Sequence, residues 1–251
     1  MSIVHGYSEF LSSLSADFKK GVLADTNVLI SATYDLDPAN DQAIGFFDLL
    51  AEHEVPIFCN VNVKSEFLEI HRRIIFTEAL LDFESQIDKS KLQIDLTRKL
   101  NSIRTQAEKR TKQEKLPLRL PEAEIKDFKM KMSEITHESR DLWTALCEDR
   151  VINKLSAVWN DAETELGLNF LSTRREDQSG YFEKSPTWEG AMQLMESYGL
   201  SSSDAMIINM FMCSKFIAIV TSDLDVAHSI NKIGNKAKVV FLPDSLAKRF
   251  A

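Results

Sequence analysis

The sequence predicts an α/β domain built on a parallel sheet and interrupted by a long all-helical insertion. Three observations point there. Four short apolar runs (residues 22–24, 56–59, 216–220 and 239–242) lack the alternation of a half-exposed strand and read as strands buried on both faces. Helical periodicity separates the strands of each pair, as in β/α units. From Thr77 the chain runs without Gly or Pro as far as Pro117, which favours helix over any sheet strand.

The elements follow in order. Residues 7–18 (YSEFLSSLSADF) place Phe10, Leu11, Leu14 and Phe18 at helical spacing, a short amphipathic helix rather than a signal peptide. Gly21 breaks it, VLA forms the first strand and Asp25 ends that strand. A looser stretch carries Asp35, Asp37, Pro38 and Asn40, then AIGFFDLLAEH forms a helix with Ile44, Phe47, Leu50 and Ala51 on one side. PIFC is the second strand, and a helix from about Val63 carries KSEFLEIHRRII. Leu80, Phe83, Ile87, Leu92, Leu96, Leu100 and Ile103 keep helical spacing with one slip, so one long helix or two is expected. A second helical block covers 121–170, with Phe128, Met132, Leu142, Leu146 and Trp159 among its apolar positions, and 172–186 is a loop. Residues 77–170 are therefore expected to give no strand to the sheet. A helix over 187–198 ends at Gly199. The serines at 201–203 cap the apolar helix DAMIINMFMCS, FIAIV is the third strand, and VVFL, stopped by Pro243, is the fourth. The expected organisation is one discontinuous α/β domain, 1–76 with 190–251, around a helical insertion at 77–189.

Composition sets the outer limits. The chain has 251 residues, 44% hydrophobic and 27% charged, with 6 Pro and 8 Gly, which excludes global disorder. A net charge of -8 means that nucleic acid would be held only by a local basic surface or through metal ions. Cys59, Cys147 and Cys213 are too scattered for a CxxC pair or a disulfide framework, so a reducing compartment is expected. No apolar run is long enough to cross a bilayer, and the expectation is a soluble cytoplasmic protein without a membrane partner.

Acidic residues recur at matching places. Asp25 ends the first strand and Asp223 the third, with Asp225 two residues on. Asp204 opens an apolar helix, and Glu66 lies in the helix after the second strand. Ligands of open parallel sheets collect at the carboxyl ends of the strands. Carboxylates converging there repel unless a cation neutralises them. An all-oxygen set selects Mg²⁺ or Mn²⁺, ions that orient water and stabilise a phosphoryl group under attack. Each acid alone has a plainer explanation: Asp25 and Asp223 as helix caps, Asp204 as a partner of the helix dipole, Glu66 as a solvated residue. Capping does not account for Glu66 within its helix.

The ordered set ADTNVLI, VKSEFLEI, SSSDAMIIN and VTSDLDVA, around Asp25, Glu66, Asp204 and Asp223, resembles the PIN-domain nucleases over about residues 21–76 and 190–243. The resemblance implies a Rossmann-like parallel sheet flanked by helices and Mg²⁺- or Mn²⁺-dependent hydrolysis of RNA phosphodiester bonds. Asp25, Glu66, Asp204 and Asp223 would be the catalytic and metal-holding acids, with Asp225 at a less constant metal position. Asn27, Thr221 and Ser222 beside them would contact water or substrate, or shape the turns along with Thr26. The insertion is a departure, because compact PIN toxins of toxin–antitoxin pairs lack one this large. It carries a basic run, Arg98, Lys99, Arg104, Lys109, Arg110, Lys112, Lys115 and Arg119, in which Arg104, Lys109, Arg110 and Lys112 are candidates for RNA phosphates and a solvated helix face is the plainer explanation. No phosphate loop, GxGxxG or HExxH is present, and Asn27 stands where a haloacid-dehalogenase site needs a second Asp. The leading expectation is an endoribonuclease, in one form the toxin partner of an antitoxin. The alternative is an inactive PIN-fold module that binds a protein through its insertion.

Overall fold

The structure is a computed structural model that describes residues 3–86, 92–113, 117–137, 139–173 and 175–250. It resolves into two compact units. One comprises the chain up to Phe67 together with Asp161 onward; the other is Leu68–Asn160. The strands are β1 (Val4–Gly6), β2 (Val22–Ala24), β3 (Ile57–Cys59), β4 (Thr136–His137), β5 (Arg140–Asp141), β6 (Leu168–Phe170), β7 (Ala218–Val220) and β8 (Val239–Leu242). The helices are α1 (Phe10–Ser13), α2 (Thr26–Thr33), α3 (Asn40–Glu52), α4 (Val61–Gln86), α5 (Ile94–Lys112) and α6 (Glu122–Ser133). They continue with α7 (Leu142–Leu146), α8 (Lys154–Glu165), α9 (Trp188–Tyr198), α10 (Ser202–Cys213), α11 (Leu224–Ile233) and α12 (Asp244–Ala247).

The first unit is an α/β fold around a six-stranded, all-parallel sheet in the order β1-β8-β7-β2-β3-β6. Continuous apolar runs sit where a parallel sheet needs them: every residue of β2 and β7 is fully buried. From β2 the chain steps through β3 to β6 on one side, whereas β7, on the other side of β2, leads outward to β8. The order thus reverses between β2 and β7, and the crevice of such a sheet opens at the carboxyl ends of that pair. Gly21 makes the entry to β2 possible. Its φ is +112°, and a Cβ there would lie 2.5 Å from the Phe58 ring, so both the backbone and the close approach require glycine.

The second unit has a helical core. Phe76, Leu80, Leu96, Leu100, Ile103 and Phe128 are buried together, and Trp143 stacks on Phe76 with ring centroids 4.9 Å apart. The periodic leucines of the insertion thus supply its interior, while β4 and β5 form a small antiparallel pair.

Four expectations are corrected. The sheet has two further strands, β1 and β6, at its edges, so the segment 77–170 does contribute a strand: Leu168–Phe170 pairs in parallel with β3, Cys59 opposite Phe170. The helical unit is 68–160, not 77–189. It begins within α4, which passes position 77 without a break, and residues 161–189 return to the sheet unit. The helix expected over 7–18 is broken at Leu14, whose ψ of 128° is extended; Phe10 and Phe18 are buried from separate short turns, while Leu11 and Leu14 stay exposed. The helical block at 121–170 is also interrupted, by β4, β5 and a π-helical turn at Cys147–Val151. Ile87 lies outside the described residues. Among those described, no helix is long and apolar enough to cross a membrane.

Candidate acidic active site

Each acid reaches the crevice through an element whose local chemistry fixes it. Asp25 leaves the end of β2 in extended geometry and caps α2, its Oδ1 accepting from the Thr26 amide at 2.7 Å. Asp223 does the same after β7: its Oδ1 accepts from the Asp225 amide at 2.7 Å and the Val226 amide at 3.4 Å, opening α11. Asp204 stands in the first turn of α10. The hydroxyl of the cap residue, Ser201, accepts from the Asp204 amide at 3.2 Å and donates to its Oδ2 at 2.7 Å. Glu66 projects from the second turn of α4, after β3.

Hydroxyl groups link three of the acids and end beside the fourth. Thr221, at the end of β7, donates to Asp25 Oδ2 at 2.6 Å and accepts from the Asp223 amide at 2.9 Å. Thr26 donates to Glu66 Oε2 at 3.0 Å, and Ser203 donates to the same oxygen at 3.2 Å from the residue before Asp204. One network thus runs from Asp223 through Thr221, Asp25, Thr26, Glu66 and Ser203 to the start of α10, at the carboxyl ends of β7, β2 and β3. Asp225 is exposed on the first turn of α11. Asn27 and Ser222 are half-buried beside the network, and the Asn27 carbonyl is taken by the Ser31 hydroxyl at 3.1 Å.

The electrostatics follow from burial and like charge. Asp25 is 2% exposed. Burial pushes its carboxyl up to about 7; the Thr221 hydroxyl and Thr26 amide oppose this, and the charges of Glu66 and Asp204 add to it. Asp204 is also raised, first by burial, against the Ser201 hydroxyl, then by Asp223, Glu66 and Asp225. Among the described residues, none of these five acids forms an ion pair with Lys, Arg or His.

The donor set fits a hard cation in kind, being carboxylates and hydroxyls throughout. Among the described residues, however, no three Asp, Glu, His or Cys side chains close into a ready cage.

Two of the singled-out residues have their side chains engaged within the protein. Thr221 is fully buried, and its hydroxyl is engaged on both sides, by Asp25 and by the Asp223 amide. Arg104 pairs with the buried Glu84 and, at 3.2 Å, with Glu108. Lys109 and Lys112 are exposed near the end of α5 and Arg110 is half-buried beside them; Lys115 lies outside the described residues. The linking hydroxyls of Thr26 and Ser203 were not legible, since a Thr or Ser beside an acid is common in any turn. Compared with protein-family models, with curated proteins and with solved structures, the chain matches none.

Proposed function

We propose that the acidic crevice is the active site of a Mg²⁺- or Mn²⁺-dependent ribonuclease of the PIN type. The observation that carries this reading is the hydroxyl-linked network: it joins Asp25, Glu66 and Asp223 and ends at Ser203 beside Asp204, at the switch point of a parallel sheet, with no ion-pairing base among the described residues. A scaffold gains nothing from such repulsion, whereas a site awaiting a cation requires it. Asp25, Glu66, Asp204 and Asp223 would hold the ion, with Asp225 at the rim. When bound, the ion supplies neutralisation of the acids and of the scissile phosphate. The chain's own groups do the positioning. Thr221 and Thr26 fix both oxygens of Asp25, Thr26 and Ser203 fix Glu66, and Ser201 fixes Asp204. Each carboxylate keeps further lone pairs for the ligand. The free thiols of Cys59, Cys147 and Cys213 accord with action in a reducing cytoplasm.

The test is cleavage of single-stranded RNA with Mg²⁺ or Mn²⁺, comparing wild type with Asp25→Asn. Metal-dependent cleavage that Asp25→Asn abolishes supports the reading. Equal inactivity of both, with no metal-dependent rise in melting temperature, returns the protein to the interaction-module reading. Growth arrest on expression, relieved by Asp25→Asn, would favour the narrower toxin form with an antitoxin partner.

A further inference from the structure

α11 leads away from the acidic crevice. It opens at Asp223, just past the end of β7, and runs as far as Ile233. Asp225, His228, Ser229 and Lys232 recur along it at i, i+3, i+4 and i+7, which is one face of a helix. Together with Tyr198, the last residue of α9, they line a cavity of about 440 Å³. The cavity begins beside the acids, since the charge of Asp225 acts on Asp204. Lys232 lies two helical turns further on, about 10 Å from Asp225 along the axis.

The aromatic wall is fixed by the chain that also carries an acid. Gly199 takes the left-handed conformation, with φ at +69°, and its amide donates to the Met195 carbonyl at 2.8 Å, which ends α9 immediately after Tyr198. Two residues later Ser201 caps α10 and donates to Asp204 Oδ2. The short segment 198–204 therefore holds the ring on one side and Asp204 on the other.

Helix electrostatics explain part of this face. An acid in the first turn and a lysine in the last suit the dipole of α11. They do not explain Ser229, which is 4% exposed and whose hydroxyl has no hydrogen-bond partner among the described residues. A buried hydroxyl ordinarily finds one. Tyr198 is half-buried and Lys232 exposed. Among the described residues, neither side chain is engaged by a hydrogen bond, an ion pair or a ring contact. His228 is already occupied: its ring lies 4.3 Å from that of Phe250. The cavity thus offers an aromatic face, a cation and a hydroxyl on separate positions around one space. Those are the groups that read single-stranded nucleic acid, the ring taking a base and the cation and hydroxyl a phosphate.

We infer that this cavity is a nucleotide subsite for single-stranded RNA, with a base stacked on Tyr198 and a backbone phosphate held by Lys232 and Ser229. The inference rests on the ribonuclease reading and specifies where the strand runs: from the acids along α11 towards its last turn.

The experiment measures binding of a short fluorescein-labelled single-stranded RNA by anisotropy in EDTA, over a salt series, beside KM and kcat for its cleavage with Mn²⁺. Tyr198→Leu removes the stacking face and should weaken binding about tenfold without changing the salt dependence, while Tyr198→Phe keeps the face and should bind as wild type does. Lys232→Met should weaken binding and flatten the slope of log affinity against log salt by about 0.7. Ser229→Ala should weaken binding about fivefold. Wild-type affinity in Tyr198→Leu, Lys232→Met and Ser229→Ala overturns the subsite even where cleavage is intact. Where wild type cleaves without measurable binding in EDTA, KM replaces affinity, and an unchanged KM in all three overturns the subsite. Wild type that binds as described but does not cleave overturns the nuclease reading and leaves the subsite standing. Neither binding nor cleavage by wild type overturns both. Should Tyr198→Leu lose its fold by circular dichroism, wild-type affinity and slope in Lys232→Met and Ser229→Ala overturn the subsite.

Discussion

The helical unit and the acidic crevice of the sheet unit treat their carboxylates in opposite ways. In the helical unit the acids meet bases: Glu84 with Arg104, Glu122 with Arg72, Asp127 with Lys99 and Lys131, Glu148 and Asp149 with Arg140. Lys99 beside Asp127 and Arg72 beside Glu69 hold those carboxyls below their ordinary range. At the sheet edge, Asp25 and Asp204 are surrounded by hydroxyls, amides and other acids, and both are held above it. The first arrangement is balanced as it stands. The second holds its acids with hydroxyl and amide dipoles, with no basic partner among the described residues.

The contrast predicts opposite responses to pH. Asp25 has a folded value of about 7 against an ordinary 3.8. Between those values the folded state binds more protons than the unfolded, so stability falls as pH rises from about 4 to 7. Asp204 acts in the same direction. For Asp25 the loss is of the order of 4 kcal/mol. Metal-free melts at pH 5 and pH 8 should show it, Mg²⁺ should restore stability at pH 8, and Asp25→Asn should flatten the profile. A profile that rises over this range in wild type would mean that Asp25 is not held above its ordinary value. The depressed acids of the helical unit, Asp127 and Glu69, behave in reverse: their contribution is present at neutral pH and lost as pH falls below about 4.

A second break point lies in the helical unit. Arg104→Met leaves Glu84 buried with its arginine partner gone, so a fall in melting temperature is expected, and a larger one than Glu108→Gln gives at the exposed side of the same arginine. Equal effects would show that Glu84 is satisfied without Arg104. The smallest expected effect separates capping from charge at the site. Asp223→Ala removes a helix cap and should cost about 1 kcal/mol, while Asp223→Asn keeps the cap and should stay within a few tenths. Thermal melts of the two metal-free variants measure the difference. A large loss in Asp223→Asn would assign Asp223 a structural part beyond opening α11.

Much of the fold was legible because burial on both faces leaves a plain mark. β2, β3, β7 and β8 are the apolar runs, and all four are internal strands of the sheet. β1 and β6 are the edges. Each has three residues and carries polarity, His5 in one and exposed Asn169 in the other, so no continuous run announces them. The break between units was hidden for a different reason: α4 is one helix of 26 residues, and no local signal marks where its neighbours change. At the site, Asp25, Asp204 and Asp223 stood out because helix starts demand such residues, whereas Glu66 stood out only through its motif. The Thr221 hydroxyl was legible as a neighbour of the acids but not as their link, since the hydrogen bond joins residues 196 positions apart.

That closing of distance is most extreme at the sheet's other edge, where Val4 lies opposite Val240 and Gly6 opposite Leu242. Parallel pairing of segments so remote in sequence is slow to form. On a ribosome, residues 4–6 are made before the other strands of the sheet and must wait for β8, the strand on which they pair, which follows all the others. Until the two meet, β8 has no partner on its outer side and presents an unpaired apolar edge to other chains. Folding yield should therefore depend on how quickly this last parallel pair closes, and a chaperone that shields β8 in the interval would raise the yield without changing the final structure.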